Sequence, residues 1–251
     1  MTEDPDQNED VAVAKTIANH TYQQLRRDIV SGVLAPGSKL RMDMLIKRYG
    51  VGMSPLREAL VRLTGDALVH AEGQRGFWVS PISIEELDDT MAIRTLIETE
   101  AVVRSIEHGG PEWEERVRQT YETLSSLEAR LSENDESVLA QWERANAQFH
   151  EALVSACGSP WLVRLRRMLH QHSERYRAIS LANRPAGRDV HDEHEAIAEA
   201  ALSRKSLRAS RLIEVHLQRT ADAVREAMRA REEETAPPRG KRRQSALKTA
   251  G

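Results

Sequence analysis

The stretch Val51-Gly-Met-Ser-Pro-Leu-Arg-Glu-Ala-Leu60, preceded by Arg48-Tyr-Gly50 and followed by Gly73-Gln-Arg-Gly76, limits the folds open to this chain more than any other segment. Gly50-Val51-Gly52 predicts a sharp turn, because glycine tolerates positive φ. Ser54 is placed to cap the next helix and Pro55 to fill its first position. Leu56, Ala59, Leu60 and Leu63 then recur at helical spacing and define a core face, which leaves Arg57 pointing away from it. Leu68 to Glu72 and Phe77 to Ser80 read as two strands around the Gly73–Gly76 turn. A short helix with an exposed arginine at its start, followed by a basic hairpin, is the arrangement with which a winged helix-turn-helix meets DNA.

The segment before it fits the same plan. A first helix is predicted from about Val13 to Ser31, with Ile17, Leu25 and Ile29 on one face, and Gly32 with Pro36-Gly37 ends it in a turn. A second, from about Arg41 to Tyr49, turns Met44 and Leu45 inward. On this scaffold Arg57 can reach a guanine edge bidentately or clamp a phosphate, and Ser54 with the first backbone N–H groups suits a phosphate oxygen. Gln74 and Arg75 at the hairpin tip are placed for the adjacent minor groove, and Lys39, Arg41, Lys47 and Arg48 for phosphate contacts. The competing reading, that Arg57 and Glu58 only solvate a helix, would hold for an isolated arginine and does not account for the turn, proline and hairpin together.

A net charge of −3 looks wrong for a DNA binder until it is divided along the chain. Residues 1–12 hold five acids and no base, residues 13–82 hold ten Lys/Arg against five Asp/Glu, and residues 231–251 hold six bases against three acids. The acidic excess therefore lies in the tail and in residues 83–230, and the winged segment is basic, which separates phosphate attraction from another task. The expected organisation is a disordered acidic tail at 1–12, a winged helix-turn-helix domain with a two-stranded wing at 13–82, an all-α domain at 83–230 and a disordered basic tail at 231–251. The fold is thus expected to be mainly α. One cysteine, Cys157, excludes an internal disulfide and fits a reducing cytoplasm. Met1 to Asp10 lacks the apolar stretch of a secretory signal, and no apolar run approaches the ~18–20 residues needed to span a bilayer.

Ser80-Pro81-Ile82 marks the boundary, and Ser83 with Glu86 forms a capping box that opens the second domain. Beyond it only helical periodicity is found, broken at Gly109-Gly110-Pro111, Ser132–Asp135, Gly158-Ser159-Pro160, Asn183–Gly187 and Ser203–Ser206, which divides it into about six helices. Asn146 and His150 share the inward stripe Leu139, Trp142, Asn146, Phe149, His150, Leu153; His194 leads Ile197 and Ala201, and His216 lies with Leu212 and Ala223. Three imidazoles and an amide oxygen from three helices can converge on one divalent ion of the zinc, nickel or manganese type, with positions left for a ligand such as an organic acid. A lone inward histidine is more often a hydrogen-bonded core residue, His191 shares a face with His194 and could replace it as ligand, and His170 or His172 could line the pocket. No HExxH, glycine-rich phosphate loop or nucleophilic Ser–His signature accompanies them.

Residues 21–82 resemble the winged helix-turn-helix of GntR-type regulators, in Tyr22, Leu25, Ile29, Gly32, Pro36-Gly37, Leu40, Tyr49-Gly-Val51, Pro55-Leu-Arg-Glu-Ala-Leu60, Leu63, Leu68 and Gly76. Met53 stands where many members carry a DNA-contacting arginine, so the operator sequence does not carry over with the resemblance. Residues 83–230 resemble the FCD domain, the helical effector module of one GntR subfamily, in Arg94 and Glu98 of Ala92-Ile-Arg-Thr-Leu-Ile-Glu98, in Phe149-His150, in His194 and in His216. The family's first metal ligand is usually aspartate, and Asn146 in its place leaves a metal-free pocket open. Arg94 is a candidate clamp for an effector carboxylate, because its fork pairs with two oxygens, or else an internal ion pair with Glu98. Lys39-Leu-Arg-Met42, Pro55–Leu60 and His191-Asp-Glu-His194 are similar to a glutarate-responsive, carbon-starvation type of repressor within that subfamily.

The resemblance implies a homodimer that places two winged domains on a roughly palindromic double-stranded operator, released by a short dicarboxylate or hydroxy acid such as glutarate. The expected function is a cytoplasmic transcription repressor with no membrane partner and no enzyme activity. Two other readings stay open at this level. One is a metal-dependent hydrolase that uses the histidine cluster, and the other an architectural DNA-binding protein with no effector.

Overall fold

The computed structural model describes residues 5–131, 135–182 and 188–235. In chain order the elements are α1 (Pro5–Val30), β1 (Lys39–Leu40), α2 (Met42–Tyr49), α3 (Met53–Gly65), β2 (Val69–Ala71), a 3-10 turn (Gly73–Arg75), β3 (Phe77–Val79), α4 (Ile84–His108), α5 (Pro111–Glu128), α6 (Glu136–Val154), α7 (Pro160–Ala182), α8 (Val190–Leu202) and α9 (Ser206–Thr235). The chain is mainly helical, with one small antiparallel sheet, as expected.

The acidic segment 1–12, expected to be disordered, is helical from Pro5 onward. Proline suits a first helical position, and carboxylates near a helix N-terminus oppose its dipole. Residues 1–4 lie outside the described residues. At the other end α9 runs to Thr235, taking in part of the segment 231–251 that was read as a tail, because its Arg-Glu-Glu-Glu run is made of good helix formers. Residues 236–251 lie outside the described residues.

In the amino-terminal part, α2 stops at Gly50, whose φ of 64° closes the turn. The next helix starts two residues earlier than expected: Gly52 is the N-cap, with no side-chain cap, so Ser54 does not cap α3 and sits exposed in its first turn. Leu56, Ala59, Leu60 and Leu63 are fully buried against Tyr22, Leu25 and Ile29 of α1, Leu45 of α2 and Val69 and Val79 of the sheet. Met44 and Ile17, expected inward, are exposed. The wing has three strands rather than two, in the order β1-β3-β2. Lys39 pairs with Trp78 and Leu40 with Phe77, an added strand of two residues that is too short to show a period-2 pattern.

In the carboxy-terminal part, Ser83 accepts from the Glu86 N–H at 3.0 Å to cap α4. Six helices, α4 to α9, follow among the described residues. They bury a second, separate apolar cluster that includes Leu87, Trp113, Trp142, Phe149, Ile197 and Val224. The long central α4 packs on α6, α7 and α9, and α5 on α6 and α8. That arrangement brings polar residues of α4, α6, α7, α8 and α9 to one buried place. Leu139, expected on the inward stripe of α6, is 38% exposed at the helix's open end.

Candidate DNA interface and ligand centre

The solvent face of α3 is sorted by what its cations already touch. Arg62 lies over the Tyr22 ring at 4.2 Å and donates to Asn19 Oδ1 at 3.3 Å, so it belongs to its own domain. Arg57 is exposed and makes no ion pair among the described residues, and Ser54, Met53 and Val61 are exposed with it. The flanking cations are partly committed. Arg48 pairs with Asp28 at 3.0 Å, Arg41 with the exposed Asp43 at 3.2 Å, and Lys39 lies over the Trp78 ring at 4.8 Å. Lys47 is exposed. In the wing, Arg75 is exposed in the 3-10 turn, 3.9 Å from Glu72. Gln74 belongs to that turn by its backbone, and its side chain lies outside the described residues.

In the bundle, His150 of α6, His194 of α8 and His216 of α9 are buried and come together, with one candidate ligand atom from each lying within 4.8 Å of the others. His194 Nδ1 lies 2.6 Å from Glu128 Oε1 and His216 Nδ1 lies 2.7 Å from Glu193 Oε2. Burial pushes both carboxyls up, but their partners together outweigh it and hold them below the usual range: His194, His191 and Trp142 on Glu128, and His216 and Arg188 on Glu193. An ionised carboxylate only accepts, so each Nδ1 carries a proton and each Nε2 faces inward to the other rings. His194 Nε2 is buried with no partner among the described residues. Burial, joined by the other histidines' charge, depresses His150 well below its ordinary value. Burial also brings His216 down to about 4, against the pull of Glu193. His150 and His216 are thereby kept neutral, and His194 and His216 are each oriented by an outer carboxylate, the second-sphere arrangement that metal-binding histidines present. Asn146 is buried one turn before His150 on the same face. His191 pairs with the other oxygen of Glu128 at 3.1 Å and is half exposed, so the buried ligand face belongs to His194.

Next to the triad, Glu98 gathers cations. Arg94 Nε donates to its Oε1 at 2.6 Å, so the ion pair weighed from the sequence is formed. Arg166 Nε lies 3.7 Å and His150 Nδ1 3.9 Å from its Oε2. Burial pushes Glu98 up, but Arg94 and Arg166 prevail and hold it ionised. Arg94 also reaches His170 Nδ1 at 3.2 Å, and Arg177 donates to the His170 carbonyl at 3.3 Å. His170 is driven well down by burial and then by Arg177 and Arg166. Of seven buried polar side-chain atoms with no hydrogen-bond partner among the described residues, five lie here: Glu98 Oε2, His150 Nδ1, Arg166 Nε, His170 Nε2 and His194 Nε2.

His172, expected at the ligand, pairs instead with Glu86 at 3.1 Å. Two residues along an α-helix turn the side chain by about 200°, so His170 and His172 cannot share a face. Of the two candidates it is His170 that lies here, and Arg166 and Arg177 were missed, although with His170 their spacing of four and seven marks one stripe of α7. Glu193 adjoins His194 in sequence, whereas Glu128, on another helix, leaves no local signal.

Fold and sites together define a DNA-binding transcription regulator: a basic winged domain joined to a helical bundle built around a polar centre. The chain belongs to the GntR family of bacterial regulatory proteins, whose model matches residues 17–79, and carries an FCD domain over residues 89–219. It is 41% identical over 217 residues to the HTH-type transcriptional regulator BphR of Paraburkholderia xenovorans, spanning 86% of this chain and 88% of that protein. It is 37% identical over 211 residues to the HTH-type transcriptional repressor GlaR of Escherichia coli, spanning 82% of this chain and 95% of that protein. A crystal structure of a GntR-family regulator from Pseudomonas syringae is 26% identical, with a TM-score of 0.52 over 89% of this chain and 90% of that one. The E. coli protein McbR/YncC, at 18% identity, shares the fold, with a TM-score of 0.67 over 84% of this chain and 98% of its own. These relatives are regulators and not enzymes, and the hydrolase reading of the histidines falls with them. No helix among the described residues is long and apolar enough to cross a membrane.

Proposed function

We propose that the chain is a repressor whose hold on a double-stranded operator is loosened when a small carboxylate occupies the bundle. The observation that carries this is the concentration of unpartnered polar atoms between the histidine triad and the buried arginines Arg94, Arg166 and Arg177. A buried polar atom without a hydrogen bond costs about 1–3 kcal/mol; Arg166 Nε and His150 Nδ1 stand 3.7 and 3.9 Å from Glu98 Oε2, too far to hydrogen-bond it, and with His170 Nε2 and His194 Nε2 they ask for a polar occupant. Two buried guanidinium groups, Arg94 and Arg166, share one fully buried carboxylate, Glu98, while Arg177 beside them is paired with Glu143 and Glu174, so the occupant the Glu98 cluster favours is an anion. A short dicarboxylate or hydroxy acid, glutarate included, fits that chemistry. Repression is the direction that the GlaR relative's name carries.

The donor set also fits a divalent ion. His150, His194 and His216 would hold it, with Asn146 as a neutral fourth donor in reach of the same helix face, and it would supply a Lewis-acidic anchor for a carboxylate. Arg94 and His170 would then grip the far end of the acid from the protein side.

On the DNA side, Arg57 and Ser54 would read and seat the recognition helix, and Arg75 and Gln74 the wing. Lys39, Arg41 and Arg48 would add phosphate contacts beyond their internal partners. A homodimer would set two such helices on a roughly palindromic site. α4 and α7 pack side by side and expose Ile93, Leu96, Trp161 and Met168, which would form the dimer face. Such a protein works where the chromosome is, in the bacterial cytoplasm.

The test measures binding to a duplex selected from a random pool, using metal-loaded and chelated protein, with C2 to C6 carboxylic acids added singly. At least one acid is expected to weaken binding tenfold or more, which needs only ~1.4 kcal/mol of differential affinity. If no acid changes duplex affinity or melting temperature in either form, the effector reading fails and an architectural role takes its place.

A further inference from the structure

On the exposed side of α3, Met53, Arg57 and Val61 stand four residues apart in one stripe that flanks the buried Leu56, Ala59, Leu60 and Leu63. Met53 is 54% and Val61 56% exposed, and Arg57 between them makes no ion pair among the described residues. Their exposure leaves an uncommitted cation bracketed by two apolar groups, on the basic winged segment. The other cation of the helix, Arg62, is folded back on Tyr22 and Asn19 and leaves the stripe to these three.

We infer that Met53 and Val61 read thymine methyl groups on either side of the base pair that Arg57 contacts. The inference rests on α3 being the DNA-reading helix and adds what it reads. In the major groove the only apolar feature of a base pair is the C5-methyl of thymine, and guanine O6 and N7 are the natural partners of an arginine fork. The stripe from Met53 to Val61 covers about 12 Å at ~1.5 Å per residue, or three to four base-pair steps of ~3.4 Å. The half-site it selects is a guanine with thymines one or two steps away in both directions. An apolar side chain that faces a cytosine amine or a guanine carbonyl would desolvate that group without pairing it, so the stripe also rejects G·C pairs at the flanks. The charge around it favours DNA as the occupant: residues 13–82 carry ten Lys/Arg against five Asp/Glu.

Deoxyuridine isolates the contact, because it differs from thymidine only by that methyl. A preferred duplex is selected from a random pool with the full-length protein, and each thymine is then replaced singly by deoxyuridine. The wild type is expected to lose about fourfold in affinity at one or more thymines flanking the central guanine, the ~0.8 kcal/mol that a buried methyl-sized group is worth. Met53→Ala and Val61→Ala, both at exposed positions, are each expected to bind the thymine and uracil duplexes equally at one flank, while keeping the guanine preference and the salt dependence. Equal affinity of the wild type for all thymine and uracil duplexes overturns the inference, as does discrimination that persists in the double variant. Failure of the underlying assignment looks different: the selection then returns no preferred sequence at all.

Discussion

Arg175 of α7 donates from Nη1 to the backbone carbonyl of Ser80 at 2.7 Å, so a helix of the bundle holds the end of the winged domain directly. The same nitrogen reaches the Pro81 carbonyl at 3.3 Å, and the side chain is 1% exposed. One residue earlier, Glu174 accepts from Arg26 of α1 with one oxygen and lies 3.7 Å from Arg177 with the other. α7 therefore touches the linker, the first helix of the DNA-reading domain and the arginine cluster around Glu98. Arg175→Met keeps the length of the side chain and removes the donors, leaving two linker carbonyls to find other partners. It is expected to lower the free energy of unfolding by about 1–3 kcal/mol in urea titration. It should also shrink the change in duplex affinity that an active carboxylate produces. An unchanged urea midpoint together with an unchanged carboxylate response would mean that the linker is held elsewhere.

The contact beneath that linker gives a pH signature. Glu86 accepts from Tyr176 at 2.8 Å and pairs with His172 at 3.1 Å. Burial raises its pKa, but these partners outweigh burial and bring it below its ordinary 4.5. A carboxylate whose folded pKa is depressed contributes stability that is fully present above its unfolded pKa and is lost as pH falls through the folded one. The stability gap between wild type and Glu86→Gln is therefore expected to be constant from neutral pH down to about 4.5 and to close below it. Urea unfolding of both proteins across that range measures the gap. A gap that widens on acidification would reverse the assignment.

The winged domain was legible because its signals are local. Glycines, a proline and a 3–4 residue apolar repeat within Gly50 to Leu63 set the turn and the helix without distant partners. Ser54 misled because Gly52 takes the cap two residues earlier, and β1 was lost because two residues carry no periodicity. In the bundle the inward histidines followed from helical spacing, and their convergence is what the helix packing then produced. What tunes them was not legible. Glu128 and Glu193 are ordinary acids in the sequence, and only packing puts them behind His194 and His216. His172 shows the limit of reading a pair without phase: it and His170 are two residues apart and face different neighbours.

Glu128 is the sharper probe of the metal proposal, because it lies behind the ligand set. Glu128→Gln can donate to His194 Nδ1 instead of accepting from it, which favours the wrong tautomer. Zinc or nickel affinity, measured by competition with a chromophoric chelator, is expected to fall about 10- to 100-fold, the usual cost of losing an outer partner. His194→Ala should abolish tight binding. Wild-type protein that takes up neither metal, or a Glu128→Gln variant that binds as tightly as wild type, would count against a histidine-held ion.

The exposed Leu96 and Trp161 test assembly. Both are 67% exposed, on adjacent helices of the bundle, and neither contributes to its core. Replacing both by glutamate puts two like charges on each face of a symmetric contact, repeated by the two-fold axis. Sedimentation equilibrium is expected to show a dimeric wild type and a monomeric double variant with unchanged helix content. The variant should bind a two-half-site duplex more weakly and a single half-site as before. A variant that stays dimeric places the contact elsewhere.

Arg57 and Arg62 separate reading from folding on a single helix. Arg57 is outward and unpaired among the described residues, whereas Arg62 is engaged with Tyr22 and Asn19. Arg57→Ala is expected to cost about 1–3 kcal/mol of duplex affinity, roughly tenfold to a hundredfold, and to relax the preference for guanine at one position. Its urea midpoint should match that of the wild type, since no internal contact is lost. Arg62→Ala is expected to do the reverse, lowering stability by about 0.5–1 kcal/mol through the lost ring contact and leaving the base preference intact. Paired selection and urea titration on the two variants measure both quantities. If Arg62→Ala relaxes the base preference and Arg57→Ala does not, the outward stripe is not the reading edge, and α3 meets DNA with a different face.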